Sequence, residues 1–187
     1  MNIRMLMAGL VGGIILFLWG FLAWVILPIH KASLHDIPRQ DSVITALKSS
    51  LSEKGVYPFP SMLPGEQQQW EERYRKGPVG MIVYDPAGSS PTMPSQMAVG
   101  FLINIVSAFF VAWFLARSTA FNASYIKRVA YCGMYGIFLV AASTLVMWNW
   151  FNEPGDWVTG LIIDYVAGWP LAGIGIAAIM KPLPPRA

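Results

Sequence analysis

Long apolar runs alternate with polar stretches along this chain, and four of the runs are long enough to cross a lipid bilayer. A transmembrane helix needs about 20 consecutive apolar residues. The pattern predicts such helices at residues 1–28, 97–116, 129–150 and 157–180. The first run is interpreted as an uncleaved signal anchor, because its apolar part is too long for a signal peptide and no small-residue cleavage site follows it. We therefore expect an all-α membrane protein built as a bundle of four transmembrane helices.

The polar segment 29–96 lies between the first two runs and contains shorter elements. An N-cap at Asp41 and apolar residues at helical spacing predict a helix that ends at Gly55. The further predicted elements are a short helix over 64–75 and a strand over 79–84 that pairs with residues 56–60. A segment of this size cannot bury a large core alone, so we expect a small α+β insertion that leans on the membrane or on a partner.

The composition supports a membrane protein and points to no enzyme. The chain is 55% hydrophobic and 12% charged, with a mean hydropathy of +0.50, which is too apolar for a soluble domain. Its net charge of +3 is small and no basic patch is interleaved with aromatic residues, so no nucleic-acid partner is expected. The single cysteine, Cys132, excludes an intrachain disulfide and a paired-cysteine metal motif. No catalytic set and no phosphate-binding loop is recognisable, so the sequence predicts neither enzymatic activity nor a cofactor.

The distribution of basic residues predicts the orientation in the membrane. Cytoplasmic loops carry an excess of Lys and Arg. The basic residues on the side of the two termini are Arg4, Arg117, Lys127, Arg128, Lys181 and Arg186. The turn between the third and fourth runs has Glu153 and Asp156 and no basic residue. We expect both termini, including the tail 181–187, in the cytoplasm. Residues 29–96 would then lie outside, in the periplasm if the membrane is a bacterial inner membrane.

An acid, Asp164, interrupts the fourth run, and an ionisable residue inside a membrane span marks a candidate functional site. Asp164 follows Trp157 by seven residues, which places it about 10 Å deeper along a helix. The same count from the outer ends of the other runs predicts a polar layer around Asp164 that contains Trp19, Asn104, Ser143 and Thr144. Gly160 and Gly168 share one helical face with Asp164, and small residues let neighbouring helices approach closely.

Two interpretations of this polar layer stay open. It is either a pocket that binds a proton, a cation or a small polar or lipid-like ligand, or a cluster of hydrogen bonds between helices. In the second case a protonated Asp164 would donate to Asn104 or Ser143. His30 and His35, just beyond the first run, are weaker candidates for a metal or haem site, because their spacing does not place both on one helical face.

Glycines at helical spacing in the first run form a GxxxG pair, Gly9 and Gly13. Such pairs allow two transmembrane helices to pack closely. Glycine is also common in membrane helices without that role, and the sequence alone does not decide between these interpretations.

Several short segments resemble a family of small uncharacterised bacterial inner-membrane proteins. The segments are Leu18-Trp-Gly-Phe-Leu-Ala-Trp24 with Leu27-Pro28, Gly55-Val-Tyr-Pro-Phe-Pro60, Gly77-Pro-Val-Gly80 with Val83-Tyr-Asp-Pro86, Gly100-Phe-Leu-Ile103 and Trp148-Asn-Trp150. The resemblance covers most of the chain and implies a four-span layout. It implies no activity and no functional residue.

The sequence therefore predicts a non-enzymatic accessory or scaffold subunit of a larger membrane complex. Its expected partners are the lipid bilayer and either other membrane subunits or further copies of itself. The alternative is a binder or carrier of a small polar or lipid-like ligand, or of a proton, at the polar layer around Asp164. A membrane enzyme is a third, weaker alternative.

Overall fold

The computed structural model describes residues 3–121 and 123–181, so all of the predicted tail except Lys181 lies outside the described residues. The helices and strands are, in chain order, α1 (Ile3–Phe21) with a π-helical turn (Leu22–Ile26), a 3₁₀ turn (Lys31–Ser33), α2 (Gln40–Ser50), β1 (Gly55–Phe59), α3 (Gln67–Lys76), β2 (Gly80–Tyr84), α4 (Pro94–Leu115), α5 (Tyr125–Leu139) with a π-helical turn (Val140–Thr144), α6 (Leu145–Phe151) and α7 (Gly155–Ile179). These elements form two compact units.

The first unit contains four helices that are long and apolar enough to cross a membrane. They are Ile3–Ile26, Pro94–Leu115, Tyr125–Phe151 and Gly155–Ile179. The four predicted apolar runs are confirmed as helices, and three of the four helices begin a few residues earlier than predicted. Ser124 caps α5 by accepting a hydrogen bond from the backbone N–H of Lys127 at 3.3 Å.

The helix α7 is the most enclosed of the four apolar helices and packs between α1 and α5, while α4 packs mainly against α1. One third (33%) of the most apolar stretch of α7 is buried, against 17–22% for the other helices. It also has the lowest hydropathy of the four. An acid is therefore tolerated in α7 because much of this helix faces other helices.

Glycines set the closest approach between α1 and α4. A Cβ on Gly9 would lie 2.8 Å from the Cα of Phe109, and a Cβ on Gly13 would lie 2.5 Å from the Cα of Ile105. Both neighbouring atoms belong to the backbone of α4, so these two positions have no room for a side chain. The GxxxG pair thus serves close helix packing, which decides between the two interpretations that the sequence left open.

The buried core lies towards the end of the unit where α1 begins and α4 and α7 end. Its members are mostly small or aliphatic and comprise Ala8, Ala108, Val111, Ala112, Leu115, Cys132, Trp169, Ala172, Ile176 and Met180. At this end the buried Arg128 donates from Nε to the carbonyl of Ala177 at 3.1 Å. A cation near the last carbonyls of a helix is favourable because it complements the helix dipole.

The second unit comprises residues 35–91 with 150–152. The strands β1 and β2 form an antiparallel pair from Gly55↔Tyr84 to Phe59↔Gly80, which confirms the predicted pairing of these two segments. The predicted helix ends were wrong. Asp41 lies in the first turn of α2 and Arg39 is the N-cap. The helix ends at Ser50, because the backbone of Leu51 is already extended. Gly55 belongs to β1, where it pairs with Tyr84.

No residue in 35–91, all of which the structure describes, is buried. An ion pair joins the two strands at one end of the sheet, with Nζ of Lys54 2.7 Å from Oδ2 of Asp85. The hydrogen bond and charge of Lys54 lower the pKa of the Asp85 carboxyl, and the same contact raises the pKa of Lys54. This unit has regular secondary structure but no packed core of its own.

Candidate functional site

Asp164 accepts hydrogen bonds from three aromatic side chains that reach α7 from α1 and the turn after it. Nε2 of His30 lies 2.9 Å from Oδ2 of the carboxylate, and Nε1 of Trp24 donates to the same oxygen at 3.1 Å. Nε1 of Trp19 donates to the backbone carbonyl of Asp164 at 3.1 Å. The side chain of His30 is only 3% exposed and that of Asp164 is 15% exposed, so the pair is largely removed from solvent.

Local backbone geometry brings Trp24 and His30 to this position. The end of α1 opens into a π-helical turn, in which the N–H of Leu27 donates to the carbonyl of Leu22 at 2.8 Å, five residues earlier. The extra residue in this turn changes the direction of the side chains that follow. The chain then turns sharply, because the N–H of Lys31 donates to the carbonyl of Pro28. This turn directs the ring of His30 towards α7.

Two glycines on α7, one turn on either side of Asp164, make room for the rings. A Cβ on Gly160 would lie 2.8 Å from Nδ1 of His30, and a Cβ on Gly168 would lie 2.8 Å from Cδ1 of Trp19. Both are closer than a carbon atom can approach without displacing its neighbour. The small-residue face that the sequence predicted around Asp164 therefore admits aromatic side chains to the carboxyl group and its backbone.

Aromatic rings surround the imidazole of His30. The indole of Trp24 stacks on it with ring centroids 3.8 Å apart and an interplanar angle of 14°. Trp157 meets both rings edge-on, at 5.8 Å from Trp24 and 5.9 Å from His30. Trp24 thus contributes twice, since its N–H donates to the carboxylate while its face covers the imidazole.

One atom of each polar side chain in the pair has no hydrogen bond. Within residues 3–121 and 123–181, Oδ1 of Asp164 and Nδ1 of His30 are both buried and lack a hydrogen-bond partner. Buried polar atoms are normally paired, so each such exception calls for an explanation. The part of the chain that the structure describes holds no group of three His, Cys, Asp or Glu side chains that could bind a metal ion. His30 and Asp164 would supply only two ligands.

The predicted polar layer is reproduced only in part. Trp19 reaches Asp164, but no hydrogen bond among the described residues joins Asn104, Ser143 or Thr144 to it. Asn104 lines a cleft of about 240 Å³ between α1 and α4. Ser143 is exposed, and Thr144 is buried in the π-helical turn that packs on α7. Counting residues from a helix end predicts depth but not the direction in which a side chain points. The bond from Asp164 to Asn104 or Ser143, which one of the two interpretations requires, is not among the hydrogen bonds of the described residues.

His30 and Trp24 are the two residues of this site that sequence reasoning did not connect with Asp164. The depth count considered only the apolar helices and left His30 in the polar segment, where it was a weak metal candidate. His35, the other candidate, is exposed and belongs to the second unit. A usable signal was present in the sequence, because Gly160 and Gly168 stand four residues on either side of Asp164 and leave space for large side chains.

No protein-family model, curated protein or solved structure was found to match this chain. The candidate site is therefore interpreted from its own geometry.

Proposed function

We propose that this protein is an integral membrane protein that acts as a non-enzymatic accessory or scaffold subunit of a larger membrane complex. In this proposal the four apolar helices form a bundle in a bacterial inner membrane, with both termini in the cytoplasm. Residues 29–96 are then an extracytoplasmic insertion that contacts the partner. Membership of the small inner-membrane family that the sequence resembles is part of the same proposal.

Support for a partner comes above all from the second unit, in which no residue of 35–91 is buried. Large apolar side chains in this segment remain exposed: Ile37, Val43, Ile44, Val56, Phe59, Met62, Leu63, Met81 and Val83. Val83, in β2, is 79% exposed. Exposed apolar surface on this scale is typical of a surface that is covered in an assembly. The module would gain its missing core by docking.

The test is co-purification from native membranes in a gentle detergent, with a tag on the full chain. We expect a partner in fixed stoichiometry. Ile44→Lys, on the apolar side of α2, should abolish its recovery, while Ser49→Lys, on the polar side of the same helix, should leave it unchanged. A parent protein that purifies alone, or a partner retained equally by both variants, would argue against docking through this module.

The orientation in the membrane can be tested separately with a reporter enzyme that is active only outside the cytoplasm. The reporter is fused to the chain at either of two positions. The basic loop near Arg117 and Arg128 supports a cytoplasmic location, and Arg117 also stacks on Trp113 with its guanidinium 3.5 Å from the ring centroid. We expect activity from a fusion after Ser90 and none from a fusion after Ser118. The reverse result would place the insertion in the cytoplasm.

A second candidate function is a binder or carrier of a proton, or of a small polar or lipid-like ligand, at Asp164. The observation that favours it is the pair of buried, unpaired atoms, Oδ1 of Asp164 and Nδ1 of His30. If a variant Asp164→Asn accumulates and assembles as the parent does, the carboxylate is not needed for the subunit role. The two functions can therefore be separated by experiment.

A further inference from the structure

We propose that His30 and Asp164 together form a site that takes up and releases one proton. This inference rests on the second candidate function, the binding of a proton at Asp164, and does not depend on the subunit role. Nε2 of His30 lies 2.9 Å from Oδ2 of Asp164, so the proton that the pair takes up is added either at Nδ1 of His30 or at the carboxyl group of Asp164.

The charge of the pair favours uptake of a proton. A neutral imidazole beside an ionised carboxylate leaves a net charge of −1 in a place where the two side chains are only 3% and 15% exposed. A single buried charge is costly unless it is neutralised. One added proton makes the pair neutral, either as imidazolium with carboxylate or as imidazole with carboxylic acid. Both forms keep the hydrogen bond between the two side chains.

The surrounding tryptophans favour the form in which His30 is the cation. The Trp24 N–H donates to the Asp164 oxygen at 3.1 Å, and a donor stabilises the ionised form of a carboxylate. The face of the same indole covers the imidazole at 3.8 Å between centroids, and a cation over a Trp face is attracted by the ring quadrupole. Trp24 therefore stabilises both charges of the ion pair at once.

No other charged group takes the place of Asp164. Among the described residues, Asp164 is the one titratable side chain that pairs or hydrogen-bonds with His30. Lys31 follows His30 in the chain but is exposed. On α7, Asp156 stands eight residues before Asp164, about 12 Å away along the helix, and its carboxylate accepts from the backbone N–H of Trp157. Glu153 lies before the start of α7.

The packing around Nδ1 of His30 selects a proton over a larger ligand. This nitrogen is buried against Gly160, where even a single methyl carbon would come within 2.8 Å. An organic ligand has no room beside this nitrogen, and among the described residues no third His, Cys, Asp or Glu side chain completes a metal site with His30 and Asp164. A proton needs no such space, so its uptake does not require the helices to move apart.

The test uses the fact that the chain has only two histidines. Protein with ¹⁵N-labelled histidine and the substitution His35→Gln, placed in a lipid nanodisc, gives ring signals from His30 alone. We expect these signals to change from the neutral to the doubly protonated pattern as the pH is lowered from about 9 to about 5, the range in which histidine titrates. Asp164→Asn should lower the affinity of His30 for the proton at least tenfold, while Glu153→Gln should leave this affinity unchanged.

A second variant keeps the test decisive if Asp164→Asn does not fold. Trp24→Phe retains the carboxylate but removes the N–H donor and weakens the stacking, so proton uptake by His30 should weaken in it too. His30 signals that stay constant over this pH range in the parent would overturn the proposal. Proton uptake that is equal in the parent, Asp164→Asn and Trp24→Phe would also overturn it, since the pair would then have only a structural role.

Discussion

The contact between α1 and α4 is tested by replacing Gly13 with alanine. The new Cβ would lie 2.5 Å from the Cα and 2.6 Å from the N of Ile105. Neither backbone atom can rotate away as a flexible side chain could. Gly20, on the same helix, is the matched control, because a Cβ there would meet no heavy atom within 4 Å.

The expected loss of stability in Gly13→Ala follows from how closely the new Cβ would approach the backbone of α4. Carbon atoms in contact prefer a separation of about 3.5–4.0 Å, so α1 and α4 would have to move apart by roughly 1 Å at this point. Overpacking of this kind costs about 1–3 kcal/mol. Alanine is also a better helix former than glycine, by up to about 1 kcal/mol, but this gain applies to both variants. We therefore expect Gly13→Ala to be less stable than Gly20→Ala by about 1–3 kcal/mol.

The assay is reversible unfolding of the purified protein in mixed micelles with an increasing fraction of denaturing detergent, followed by tryptophan fluorescence and circular dichroism. Gly9→Ala, whose Cβ would lie 2.8 Å from the Cα of Phe109, should behave like Gly13→Ala. Equal free energies of unfolding for Gly13→Ala and Gly20→Ala would refute close backbone packing between α1 and α4.

Two further predictions concern the candidate site and the small sheet. Gly160→Ala should displace the His30 ring and destabilise the protein by about 1–3 kcal/mol in the same unfolding assay. The control Gly155→Ala, whose Cβ would meet no heavy atom within 4 Å, should leave the stability unchanged. Equal free energies of unfolding for the two variants would contradict the close contact between Gly160 and His30. In the second unit, Lys54 lowers the pKa of Asp85. The ion pair therefore stabilises the folded sheet fully at pH values above the usual Asp pKa of about 3.9. This stabilisation is lost as the pH falls through the lower pKa that Asp85 has in the folded protein. An NMR titration of the Asp85 carboxyl should show the lowered pKa. Lys54→Met should raise this pKa towards the ordinary range, although the hydrogen bond from the backbone N–H of Ala87 still lowers it. An unchanged titration in this variant would exclude the ion pair.

Several elements could be predicted because their signals are local. Four helices follow from the length of the apolar runs, since a helix satisfies all of its backbone groups within one segment. The pairing of 56–60 with 79–84 follows from β-branched and aromatic residues bounded by proline and glycine. The end of α2 was misplaced because Gly55, a common residue after a helix, was instead the first residue of a strand.

The sequence predicted Asp164 as the centre of the site but not the side chains that bind its carboxylate. The acid and the glycine face at Gly160 and Gly168 are visible in the sequence, and the structure uses both. The partner His30 was missed because it lies in a turn beyond the helix, which a count of helical residues does not follow. Asn104 instead lines the cleft between α1 and α4.

The sequence by itself determined four membrane-length helices, a small strand pair and an acid on a glycine-lined helical face. These properties depend on neighbouring residues and on helical or strand periodicity, which can be read along one dimension. Only the tertiary structure decided that His30 and Trp24, rather than Asn104 or Ser143, meet the Asp164 carboxylate. That choice depends on how each helix is rotated about its axis and on the π-helical turn after α1, and both are set by packing between helices that are distant in sequence.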